Sequence, residues 1–125
     1  MPLTDTSDSI ATQDKTMTKS LYVETHTAAD EIPIGYVPDA ATLVAVRAVT
    51  SAGTVDFNVE KRNKFSPGSA GTNIWSADKQ ANSAGLEQTS FESGSISADQ
   101  WLHYSSSAVS GSPGRLWVCV EYTVD

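Results

Sequence analysis

Two histidines, one cysteine and a few aromatic and basic side chains are the residues whose types could do chemistry. His26 and His103 lie far apart in the chain. A metal centre or a catalytic triad needs three or more convergent groups, and their spacing offers no such set. Cys119 sits in a run that alternates like a strand and has no basic neighbour to lower its pKa, so it reads as a small packed residue rather than a nucleophile. There is no Gly-x-Ser-x-Gly, no phosphate-cradling glycine loop and no His-Glu-x-x-His. The carboxylates are scattered. No catalytic residue, metal site or cofactor is expected, and the chain is not expected to be an enzyme. Trp75, Trp101, Tyr104 and Trp117 offer flat faces that would suit either a pyranose ring or core and interface packing. Lys61, Arg62 and Lys64 form a basic triplet that is either a solvated hairpin end or a docking contact for an acidic surface.

The elements that must carry these residues are strands. Leu21 and Val23 alternate with Ser20, Tyr22 and Glu24. Ile32, Ile34 and Tyr36 are expected to share a side, with Pro33 marking an edge strand. Residues 42–50 are apolar on both sides, as in a central strand. Val55, Phe57 and Val59 alternate with Asp56, Asn58 and Glu60, the pattern of a half-buried strand. A loop is expected over residues 61–71, then a short strand around Ile74 and Trp75. Residues 77–85 form a polar connection with room for one helical turn. A weak strand over 86–91, a strand around Trp101 to Tyr104 and a last strand from Arg115 to Val124 complete the reading. In that last strand Leu116, Val118, Val120, Tyr122 and Val124 share one side. Trp117 and Cys119 then face outward, where a neighbouring subunit or the chain's own N-terminal segment would cover them; both residues are the candidate subunit interface.

About eight short antiparallel strands with turn residues between them predict an all-β protein, a jelly-roll-like β-sandwich spanning residues 18–125. Residues 1–17 are polar and read as an N-terminal arm, flexible or partner-binding. At 125 residues with 39% hydrophobic content, one domain is expected. The net charge of −7 argues against a nucleic-acid partner, which requires clustered cations. A single cysteine excludes an intrachain disulfide. No run is long and apolar enough for a membrane span, and the first ten residues lack the features of a signal peptide, so synthesis in the cytoplasm is expected.

The order of strands and turns carries a resemblance. It runs through Ala41-Thr42-Leu43 to Arg47 and Val55-Asp56-Phe57-Asn58-Val59-Glu60-Lys61. It continues through Gly71-Thr72-Asn73-Ile74-Trp75-Ser76, Gly94-Ser95-Ile96, Trp101-Leu102, Ser107 to Gly111, Leu116-Trp117-Val118 and Val120-Glu121-Tyr122-Thr123. Over roughly residues 30–125 this resembles the small β-sandwich structural proteins of tailed bacteriophages, which include capsid decoration (cement) proteins and fibre modules. The resemblance implies a virion component on the outer capsid surface, often a homotrimer, with the major capsid protein as its partner. It also implies a role for the basic triplet Lys61, Arg62 and Lys64 in capsid docking. A fibre or tail module that recognises host glycans is the alternative.

Overall fold

Alternation along the chain becomes two facing sheets in the computed structural model, which describes residues 16–26 and 28–125. The expected arm over residues 1–17 lies almost wholly outside the described residues, and the first strand begins at Thr16. In chain order the strands are β1 (Thr16–His26), β2 (Glu31–Val37), β3 (Ala41–Thr50), β4 (Thr54–Asn63), β5 (Thr72–Asn73), β6 (Lys79–Asn82), β7 (Leu86–Gln88), β8 (Ser95–Ile96), β9 (Gln100–Ser110) and β10 (Gly114–Val124). Six are long and four are fragments. No helix occurs among the described residues.

One sheet runs β1-β10-β3-β7, with β8 also on β3; the other runs β2-β9-β4-β5, with β6 also on β4. All pairs are antiparallel. The pairing nests from the ends inward: β1 with β10, β2 with β9, β3 with β8. This is one long hairpin rolled on itself, the jelly-roll arrangement the alternation predicts. The protein is all-β, and the core lies between the sheets. Phe57, Trp75, Tyr104, Leu116 and Val118 are among the residues fully shielded there. Phe57 meets Trp75 edge-on at 5.6 Å between ring centroids and Tyr104 at 5.7 Å.

Four bulges decide which side chains face where, one of them at Ser107, an extra residue of β9 opposite the Asp56–Phe57 step of β4. Thr25 is an extra residue in β1, at φ 54°, between Glu24 and His26. By simple alternation His26 would follow Glu24 outward. The bulge turns its ring into the sandwich, where it is buried. Val44 is an extra residue of β3 opposite β10. Ile34 is an extra residue of β2 opposite β9, between Pro33 and Gly35. Past it the parity reverses, so Tyr36 does not share a side with Ile32 and Ile34 as the alternation suggested. It pairs with Trp101 on the outer face instead.

Two further expectations are corrected. The strand expected around Ile74 and Trp75 stops at Asn73, and both residues fill the core from an irregular segment. The helical turn allowed for in residues 77–85 is replaced by β6 and a turn closed by Gly85 N–H donating to Asn82 O.

Candidate functional site

The last strand carries the first candidate surface. Leu116, Val118 and Val120 are fully buried and Tyr122 nearly so, whereas Trp117 remains 40% exposed and Cys119 half-buried. Register places Tyr22, Trp117 and Val49 side by side across β1, β10 and β3. The Tyr22 and Trp117 rings lie 5.3 Å apart. The next row on the same face brings Ser20, Cys119, Arg47 and Glu87 together. Cys119 Sγ is 3.4 Å from Ser20 Oγ, and Arg47 bridges Glu87 at 2.7 Å and Glu121 at 2.9 Å. A shallow concavity of about 490 Å³ opens beside this row, walled by Val49, Leu86, Trp117 and Cys119. Sequence parity brings Trp117 and Cys119 to one face, and the structure adds Tyr22 and Val49 to it.

The basic triplet is not presented as a docking patch. The loop expected from residue 61 is displaced, because β4 continues to Asn63. Lys61 keeps the inward parity of Val55, Phe57 and Val59. Its ammonium reaches the rim of the sandwich and donates to Ser93 Oγ at 2.6 Å and Ser95 O at 2.7 Å. Burial holds its pKa below the usual lysine value. Arg62 points to the opposite side and is 96% buried beneath the 64–71 loop. Only Lys64 is exposed, 4.0 Å from Asp99. Two of the three cations are therefore structural, since a strand extended by two residues and a loop folded over it remove them from solvent.

That covering loop creates a second surface, on the outer face of the β2-β9-β4 sheet. Three register rows cross it: Glu31, Ser105 and Asn58; Pro33, His103 and Glu60; Tyr36, Trp101 and Arg62. Arg62 Nη2 lies 2.8 Å from Glu60 Oε2 and 3.0 Å from Glu31 Oε1, and Nη1 donates to Pro67 O at 2.9 Å. Gly71 N–H donates to the other Glu60 oxygen at 3.0 Å. Gly71 cannot carry a side chain, because an added Cβ would lie 2.1 Å from Lys61 O. Burial raises the Glu60 pKa, but the Arg62 and Gly71 hydrogen bonds outweigh it and leave the group below the ordinary carboxylate value. His103 is held below the usual imidazole pKa by burial and by the Arg62 charge, so it is neutral near pH 7. The Tyr36 ring lies tilted against Trp101 at 5.1 Å between centroids, and its hydroxyl donates to Asp99, which with burial lifts its pKa to about 12.

Between this sheet face and the loop lies a concavity of about 340 Å³, lined by Glu31, Pro33, Arg62, Pro67, Trp101 and His103. Sequence reasoning missed it. The one available signal was the alternation of Trp101, His103 and Ser105 against Leu102 and Tyr104, which assigns an aromatic and polar face to β9.

The remaining chemistry-bearing residues are dispersed. Of the four aromatics with faces suited to a sugar ring, Trp75 and Tyr104 are in the core, and Trp101 and Trp117 lie on different sheets. His26 Nε2 is 2.7 Å from the Tyr104 hydroxyl inside the sandwich, while His103 is on the outer side of β9. No three His, Cys, Asp or Glu side chains gather as metal ligands among the described residues.

No protein-family model and no curated protein matches the sequence. Solved structures superpose on it to differing extents. A chain of the acidic stable capsid structure of Helicobacter pylori bacteriophage KHP30 superposes with a TM-score of 0.55 at 7% identity, covering 87% of each chain. A chain from work on CBM4 structure and function gives a TM-score of 0.45 at 16% identity, over 85% of this chain and 71% of that one. A chain of infectious bursal disease virus Gx strain gives 0.39 at 10% identity, over 89% of this chain and 33% of that one. The bacteriophage chain shares the fold of this protein over nearly its whole length, and at 7% identity the likeness is one of fold.

Proposed function

We propose that this chain is a virion structural protein, a capsid decoration protein that binds the outer surface of a phage head and stabilises it. Its role is non-catalytic. Its partner is the major capsid protein, it acts as a homotrimer, and it is made in the host cytoplasm. The observation that carries this reading is the outer face of β1-β10-β3, where Tyr22, Trp117 and Val49 form an apolar row left partly open to solvent. A tryptophan buries a large apolar area, and covering it contributes a few kcal/mol at ~25 cal/mol per Å². Packing against a second subunit or the shell is the use we assign to that face. The fold shared with a phage-capsid chain supports the same reading. The net charge of −7 suits a domain that stays outside the shell, away from the genome. Bound only to the assembled shell, the protein shifts assembly toward that state by mass action.

Light scattering on the purified protein tests the interface. Trp117→Lys is expected to convert a trimer into a monomer with an unchanged β-sheet spectrum. An oligomer of unaltered mass in the variant would overturn the assignment of this face. Quantitative mass spectrometry of purified particles tests the role itself. Copy number in proportion to the capsid lattice supports decoration, and a few copies per particle would indicate a fibre tip.

A further inference from the structure

The geometry points to a saccharide-binding site in the concavity between the 64–71 loop and the outer face of β2-β9-β4, taking a neutral mono- or disaccharide. This goes beyond the decoration role and does not depend on it, since the apolar row of Trp117 lies on the other sheet.

Three buried nitrogens without a hydrogen-bond partner occur among the described residues: Arg62 Nε, Trp101 Nε1 and His103 Nδ1. All three belong to residues that line this one concavity. Arg62 is 4% exposed and His103 8% exposed, so these are built features and not loose surface groups. Folded proteins pair nearly all such atoms, and an unpaired one costs about 1–3 kcal/mol. Three in one place mark where a ligand's polar atoms belong. Arg62 Nε and Trp101 Nε1 can only donate. The ligand must therefore bring acceptors.

The charges narrow its class. The Arg62 guanidinium is faced by the carboxylates of Glu60 and Glu31, and His103 is neutral near pH 7. The site carries a small negative excess, which repels a phosphate or carboxylate ligand. A hydroxyl accepts from Arg62 and Trp101 and donates to a carboxylate. The Glu31 side chain supplies that carboxylate at the rim, 58% exposed. Pro33, Pro67 and the Trp101 ring form apolar walls suited to the C–H face of a sugar ring. The volume of about 340 Å³ sits at the lower end of small-molecule sites, which run roughly 300–1,000 Å³. Repetition over a virion surface would multiply weak single contacts with a glycosylated cell surface.

The test uses the full chain labelled with ¹⁵N and follows the indole N–H signals of Trp75, Trp101 and Trp117. Glucose, galactose, mannose, N-acetylglucosamine, lactose and maltose are titrated to millimolar concentrations, with sialic acid as a charged comparison. At least one neutral sugar is expected to shift the Trp101 signal saturably while the Trp117 signal stays in place. Trp101→Phe keeps a ring and removes the donor together with the indole reporter, so its titration is followed through the backbone amide signals of Glu31 and His103, and binding should weaken roughly two- to tenfold. Glu31→Gln, at an exposed position that does not threaten folding, should weaken it as well. Failure of every neutral sugar to move Trp101 would overturn the proposal. So would preferential binding of sialic acid, or a titration unchanged in both variants.

Discussion

Glu60 holds the loop over β4 through a buried charge, and Glu60→Gln measures what that is worth. The carboxylate is 6% exposed and accepts from Arg62 at 2.8 Å and from Gly71 N–H at 3.0 Å. Gln keeps the shape and one acceptor oxygen but leaves the buried guanidinium with Glu31 as its nearest counter-charge. Breaking a buried pair costs about 3–5 kcal/mol; the Glu31 contact places this case at the lower end, about 3 kcal/mol. For 125 residues the unfolding entropy is about 0.26 kcal/mol/K, so the thermal midpoint should fall by about 11 °C. The sign with pH follows from the Glu60 pKa, which is lower folded than unfolded. Its stabilisation is complete above the ordinary carboxylate value and is lost as pH falls through the folded one. The gap between wild type and variant should thus be full at pH 7 and close in acid. Circular dichroism melts at both pH values measure it, with Arg47→Gln on the exposed ion pairs as a control expected to change little. A variant that melts within about 3 °C of wild type at pH 7, or a gap that persists in acid, would refute the buried-pair account.

Two other outcomes follow from the geometry, beside those stated for Trp117 and Trp101. His26 is buried against Tyr104, and burial lowers its pKa from 6.5, so its neutral form supports the fold above pH 6.5 and stability declines as pH falls below it. His26→Gln should reduce that slope in urea unfolding, only in part because His103 titrates in the same direction; an unchanged slope would contradict the buried assignment. Gly53 sits at φ +63° between β3 and β4, and a Cβ there would lie 2.2 Å from Ser110 O. Gly53→Ala should cost about 2 kcal/mol or more, whereas Gly68→Ala, with nothing within 4 Å, should be near neutral by the same unfolding measurement.

The core side of β4 and β10 was legible because the inward apolar side chains there recur with a period of two. Leu116, Val118, Val120 and Tyr122, and likewise Val55, Phe57 and Val59, face inward as alternation requires. What alternation could not show is what covers the outer faces. Asn58, Glu60 and Arg62 look solvent-facing in sequence, yet they are buried because the segment after β4 folds back over them. The bulges at Thr25 and Ile34 were equally hidden, since one extra residue reverses parity without leaving a mark in residue type. That reversal moved Tyr36 next to Trp101 and His26 next to Tyr104. Trp75 was legible as core or interface packing, but its place outside any strand was not, because an irregular segment has no period to read. The Trp101 concavity depends on the folded-back loop that supplies Pro67, which is why the sequence concealed it.

The nesting of the hairpin bears on how the protein is made. β10 lies between β1 and β3, so the two earliest-synthesised strands of that sheet share a neighbour that is translated about ninety residues after the first of them. A nascent chain still lacking Gly114–Val124 leaves the edges of β1 and β3 open and the Leu116 and Val118 cavity unfilled. Cooperative folding must therefore wait until Gly114–Val124 has left the ribosome, and a chain truncated before Gly114 would be a sticky fragment instead of a shortened but working domain.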